Sequence, residues 1–138
     1  MDPIRVTFPG GLRVDAQVGE QLVRTDQPIA SGGGASAPSP MDLFYASLAT
    51  CAGYYVAAYC RTRDIPTDGL GLRQSVEKDA TGHVTRVAII IELPAGFPSG
   101  HRVGIVRAAA ACKVKKLLAA PPTIEVTAEP AADATATA

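Results

Sequence analysis

The stretch Ser39-Pro40-Met41-Asp42-Leu43-Phe44-Tyr45-Ala46-Ser47-Leu48-Ala49-Thr50-Cys51-Ala52-Gly53-Tyr54-Tyr55-Val56-Ala57-Ala58-Tyr59-Cys60 carries no charge after Asp42. Its opening reads as a helix start. Ser39 suits the N-cap, Pro40 suits the first helical position, and Asp42 stands three residues after Ser39 as in a capping box. Apolar positions recur at Phe44, Leu48, Cys51, Tyr55 and Tyr59, and Leu43, Ala46, Ala49, Val56 and Ala57 cover much of the remaining circumference. A helix apolar nearly all round is predicted to be buried nearly all round. One small sheet covers only one side, so a second subunit is expected to cover the rest. Arg61-Thr62-Arg63-Asp64 suits the helix end electrostatically, and Pro66 forbids continuation. Leu43–Cys60 approaches the minimum length of a membrane span, but its Ala, Ser, Thr, Gly and Tyr content is a weak apolar payload. A buried helix with no membrane partner is the expectation.

Outward from this helix, short strands are predicted on both sides. Ile4, Val6 and Phe8 alternate, Pro9-Gly10-Gly11 turns the chain, and Val14, Ala16 and Val18 alternate again, followed by Gln21–Arg24. Thr25 to Pro38, with Gly32-Gly33-Gly34, reads as a loop. After the helix, Leu70, Leu72 and Val76 begin a strand, Asp79-Ala80-Thr81-Gly82 is its hairpin turn, and Val87, Ile89, Ile91 and Leu93 share a face of the next strand. Ser99 is a candidate N-cap for a second helix, with Ile105, Ala109, Cys112 and Lys116 along one side and Pro121-Pro122 as its stop. Ile124 and Val126 suggest a closing strand. The order predicts an α+β fold with a largely antiparallel sheet, a single domain over 1–127, and a disordered Ala/Thr-rich tail over 128–138.

With 138 residues, 47% hydrophobic and 19% charged, the chain can build one well-packed core. Zero formal net charge leaves no basic stripe for nucleic acid. No charged leader with an apolar core opens the sequence, so a cytoplasmic location is expected. Three cysteines cannot close a disulfide framework, and in a reducing compartment thiols serve reactivity or packing.

Cys51 and Cys60 are nine residues apart on one helix. Rotation of ~100° and rise of ~1.5 Å per residue put them on opposite faces, ~13 Å apart along the axis. A disulfide needs Cα atoms within roughly 7 Å. An intrachain dithiol pair is therefore Cys51–Cys112 or Cys60–Cys112. Each thiol also reads well as a small buried hydrophobe. Metal binding is disfavoured, because a Cys-x8-Cys spacing points ligands apart and His83 and His101 form no local pair. Cys51 lies too deep in its helix for the N-terminal dipole, so a thiolate there needs a positioned cation or strong donor. Arg13 is the first candidate and Arg24 the second. Cys112, followed by Lys113, Lys115 and Lys116, is expected near the end of the second helix, where the dipole opposes a thiolate and a resolving role fits better.

The run Gly33-Gly34…Ala37-Pro38-Ser39-Pro40-Met41-Asp42-Leu43-Phe44…Ala46-Ser47-Leu48-Ala49-Thr50-Cys51, together with Ala111-Cys112-Lys113-Val114-Lys115-Lys116, resembles the OsmC/Ohr family of osmotically inducible and organic-hydroperoxide-resistance proteins. The resemblance spans residues 3–127, and Thr25-Asp26-Gln27-Pro28 with Pro121-Pro122 points to the OsmC-like branch. It implies an intertwined homodimer in which sheets of both chains wrap two central helices. It also implies a peroxidase in which Cys51 attacks an organic hydroperoxide and becomes a sulfenic acid. Cys112 then condenses with it, and an external dithiol reduces the disulfide. No metal or organic cofactor is implied. The best-known members pair an arginine with a glutamate after the proline matching Pro40; here Met41 stands there and Asp42 one position later. Arg13 and Asp42 are thus the corresponding candidates, Asp42 being placed to orient an arginine only from a partner subunit and better placed to cap. The alternative is a non-catalytic dimer of the same fold that holds a small apolar ligand and has structural cysteines.

Overall fold

The computed structural model describes residues 1–131 and bears out the α+β reading, with two antiparallel sheets, a long helix and a shorter helical pair. The first sheet orders β1 (Arg5–Gly10), β2 (Arg13–Val18) and β3 (Gln21–Thr25), with Val6 opposite Ala16 and Ala16 opposite Val23. A register shift between Thr7 and Gly10 loosens the hairpin's tip, and Gly11 turns it with φ 58°. The second sheet pairs β4 (Gly71–Lys78) with β5 (Val84–Glu92). Its turn forms as expected from Asp79–Gly82: the Asp79 carboxylate accepts from the Thr81 amide at 2.9 Å and the His83 amide at 3.0 Å.

The loop before the long helix is tied by one carboxylate. Asp26, only 2% exposed, accepts from the Gln27 amide at 2.8 Å, the Ser36 amide at 3.0 Å and the Ser36 hydroxyl at 2.6 Å. These donors hold its pKa down to about 2. Gly33 is required there, since a Cβ would collide with the Gln27 carbonyl.

The long helix α1 runs Pro40–Arg61 with its capping box formed as read: Asp42 N–H donates to the Ser39 hydroxyl at 3.2 Å, and Ser39 N–H donates to the Asp42 carboxylate at 2.9 Å. Its buried residues are Leu48, Ala52, Val56 and Cys60, a single stripe at steps of four. One expectation is corrected here. The deeply buried stripe includes Leu48 but otherwise lies round the helix from the predicted Cys51, Tyr55 and Tyr59. Within the chain burial is one-sided, with Tyr54 65% and Met41 53% exposed, which leaves the rest of the circumference open to the expected second subunit.

Val56 and Cys60 pack with Ile105 into the core, joined by Leu72 and Ile91 from the second sheet and by Leu93 just beyond it. Ile105 belongs to α2 (Arg102–Ala110), which follows a 3-10 turn over Ser99–His101 that Ser99 does not cap with its side chain. The single second helix of the sequence reading is in fact two. The chain leaves helical geometry at Cys112 and restarts as α3 (Lys113–Ala119). Ile124 and Val126 form no strand in the chain and stand 82% and 92% exposed. The expected tail over 128–138 lies mostly outside the described residues. No helix among those residues is long and apolar enough to cross a membrane.

The first sheet keeps little company within its own chain. All six residues of β1 are exposed, and α1 packs instead against α2, α3 and β4.

Candidate active site

The break between α2 and α3 builds the site. Cys112 is the N-cap of α3, with φ −47° and ψ 127°, and it is 1% exposed. Its thiol donates toward the Leu48 carbonyl of α1 at 3.9 Å and accepts from the Lys115 amide at 3.5 Å. This reverses the expected electrostatics, because Cys112 stands at the positive end of a new helix rather than the negative end of an old one.

Cys51, half-buried on α1, is brought to the same place. Its thiol has four hydrogen-bonding or charged neighbours there: the Val114 amide, the Cys112 thiol, the Lys113 amide and the Lys113 ammonium. The Val114 amide is the largest influence, the Cys112 thiol the next, and together they hold the Cys51 pKa below the usual thiol value despite partial desolvation. Of the two pairings left open by the sequence, the structure brings Cys51 and Cys112 together. Both are free thiols. Lys113 and Val114 were missed as thiol-activating groups, because a backbone N–H carries no side-chain signature.

Cys60 is sealed in the core at 0% exposed, and burial pushes its pKa up, with Arg63 opposing only in part. Arg13 donates to the carbonyls of Pro9 at 3.3 Å and Gly10 at 3.4 Å. Asp42 is engaged by Ser39, whose hydroxyl donates to it at 2.7 Å, and these bonds lower its pKa. Among the described residues, neither Arg13 nor Asp42 is a hydrogen-bond partner of Cys51 within the chain. Arg24 lies exposed on β3.

Beside Cys112 opens a largely apolar cleft of about 850 Å³, walled by Leu48, Ile89, Ile91, Ile105 and Val106, with Arg102 and Lys115 as its cations. No cluster of three or more His, Cys, Asp or Glu side chains suited to a metal occurs among the described residues.

Residues 32–127 match the family model described as OsmC-like protein. No curated protein matches the sequence. Among solved structures, a candidate osmotic stress induced and detoxification response protein from Psychrobacter arcticus is similar at 27% identity and TM-score 0.72, over 84% of this chain and 87% of that one. An organic hydroperoxide resistance protein OsmC from Legionella pneumophila shares the fold at 16% identity and TM-score 0.54, over 86% and 90%. An OsmC-like protein of unknown function from Vibrio cholerae shares it at 10% identity and TM-score 0.57, over 84% and 93%.

Proposed function

Since the chain belongs to the OsmC-like protein family, we propose that it is a thiol-dependent peroxidase acting on organic hydroperoxides. The Cys51 thiolate attacks the O–O bond, forming a sulfenic acid and releasing an alkoxide that leaves as the alcohol. The Cys112 thiol then condenses with the sulfenic acid, a water departs, and a Cys51–Cys112 disulfide remains. An external dithiol of the reducing cytoplasm returns both thiols. No metal or organic cofactor takes part in these steps.

One observation carries the reading: Cys51 stands with the Cys112 thiol and the first amides of α3, and these neighbours lower its pKa. A low-pKa, half-exposed thiol with a second thiol in contact is the chemical form of a redox pair. The apolar cleft beside Cys112 fits an organic peroxide better than hydrogen peroxide. The hydroperoxide-resistance name of the Legionella protein of the same fold is consistent with this substrate class.

A homodimer completes the proposal. Phe8 on β1 is 80% exposed and Tyr54 on α1 is 65% exposed, apolar faces that a second copy would cover. Arg13 would then reach Cys51 across that interface, with Asp42 orienting it.

The test is hydroperoxide consumption with a dithiol by wild type, Cys51→Ser and Cys112→Ser. Turnover is expected in wild type, and loss of at least 100-fold in Cys51→Ser, the scale of a nucleophile's removal. Cys112→Ser should stop after about one equivalent, with Cys51 left as a sulfenic acid detectable by mass. A wild type that consumes no peroxide, or a Cys51→Ser variant as active as wild type, rejects the proposal.

A further inference from the structure

Ala111 and Cys112 are neither glycine nor proline, and the run from Lys113 through Ala119 is helical. Local preference alone therefore does not interrupt the helix between α2 and α3. Contacts at Cys112 hold the interruption. Its sulfur reaches the Leu48 carbonyl on α1 and receives the Lys115 amide, while its carbonyl receives the Lys116 amide at 3.1 Å.

α3 itself has little else to hold it. It is seven residues long and buries none of them, and Leu117 and Leu118 stand 55% and 50% exposed. Helices of this length are not stable by themselves in water, and their first amides lack intrahelical partners. Here the Lys115 amide is satisfied by the Cys112 sulfur, while the Val114 and Lys113 amides lie where they favour a charged Cys51.

We infer that α3 is a redox-sensitive latch, closed while the Cys112 sulfur caps its first turn beside Cys51 and released when the two sulfurs join to each other. The inference rests on the peroxidase reading for the oxidation itself. An organic hydroperoxide takes two electrons from Cys51 and leaves as the alcohol. Condensation then removes the Cys112 proton together with the sulfenic hydroxyl as water. Once that proton is gone, the Cys112 sulfur has nothing to donate to Leu48. It must also turn to lie ~2 Å from the Cys51 sulfur, with a dihedral near 90°. Neither sulfur in the disulfide carries charge and the Cys112 sulfur has moved, so the Lys115 amide loses its acceptor in strength or in place, and the amides of Lys113 and Val114 lose the negative charge they favour.

Release has a use in turnover. In the reduced state Cys112 is 1% exposed, beyond the reach of a dithiol in solution. A latch that opens because the disulfide has formed presents the pair to its reductant only when there is something to reduce.

Hydrogen exchange read by mass spectrometry on the full chain tests this, with reduced protein compared with protein given one equivalent of cumene hydroperoxide. Intact mass first establishes the disulfide as the loss of two hydrogens. The expected result is about tenfold faster exchange over 113–119 in the disulfide form, the scale of a lost helix cap, with β4 and β5 unchanged. Cys112→Ser keeps a capping side chain and cannot form the bond, so its α3 protection should not respond to peroxide. A disulfide that forms while 113–119 stays protected overturns the latch and leaves the peroxidase standing. If no disulfide forms, both fall.

Discussion

Cys51 and Cys60 are carried by one helix, nine residues apart, and their surroundings push them in opposite directions. Cys51 meets the Val114 and Lys113 amides and the Cys112 thiol, and its acidity rises. Cys60 meets Val56, Ile105 and the apolar side chains of the second sheet, and its acidity falls. The helix that carries them decides neither outcome. Acidity is conferred by α3, a different and much shorter element, and withheld by the core. A thiol's chemistry here depends on which backbone donors a distant segment brings to it.

The contrast can be attacked most directly by labelling. With iodoacetamide on the native protein near neutral pH, Cys51 should react at least 100-fold faster than Cys60, since reactivity follows thiolate fraction and access. Comparable rates would mean that the core is open or that Cys51 is not activated.

The next largest effect should come from loosening the sealed end alone. Tyr59 hydrogen-bonds His101 through its hydroxyl at 2.8 Å, Arg63 stacks over its ring at 3.7 Å, and Gly104 lies so close that a Cβ would strike the hydroxyl. Gly104→Ala should cost roughly 1–3 kcal/mol by overpacking. Denaturant unfolding would show the loss. Cys60 labelling should accelerate by a similar free energy, while Cys51 labelling stays nearly unchanged.

How much of this was legible beforehand differs between the two neighbourhoods. The start of α1 was written locally in Ser39, Pro40 and Asp42, and the β4–β5 turn in Asp79–Gly82; both form as read. Local grammar suffices where a residue's partners lie within a turn of it. The break at Cys112 has no such grammar. It depends on the Leu48 carbonyl, 64 residues earlier, and cysteine is not among the usual capping residues. The pattern Ile105, Ala109, Cys112, Lys116 therefore read as one helix, and the expected sign of the dipole at Cys112 was inverted. The stripe through Phe44, Leu48, Cys51, Tyr55 and Tyr59 followed the largest side chains. The deepest packing instead follows Ala52, Val56 and Cys60, whose small size admits close approach by Ile105. Ile124 and Val126 alternate like a strand, but a strand also needs a neighbour, and the described residues supply none.

A subtler change sharpens the acidic end. Lys113→Pro removes an amide and an ammonium that both favour the Cys51 thiolate. The backbone should accept it: Lys113 opens α3, where proline is welcome, and Cys112 already has the extended ψ of 127° that precedes proline comfortably. The Cys51 pKa should move up toward its ordinary value, seen as a shift of the pH profile of alkylation to higher pH. The Val114 amide, the larger influence, remains, so the shift should be partial. An unmoved profile would remove Lys113 from the account of Cys51's acidity.

The smallest effect lies at the other cysteine and has the opposite sign in pH. Burial raises the folded pKa of Cys60 above its ordinary value of 9.0. The unfolded chain therefore releases that proton first as pH rises. The stability that Cys60 contributes is fully present below pH 9.0 and drains away as pH climbs through the folded pKa. Cys51 runs the other way: its depressed pKa favours the folded state at alkaline pH, and that gain is lost as pH falls through the folded value. Cys60→Ala should lower stability modestly at pH 7 through lost packing, yet flatten the decline measured by thermal unfolding between pH 8 and pH 10. A decline as steep as in wild type would mean that Cys60 does not titrate with unfolding. The contrast between the two thiols would then rest on Cys51 alone.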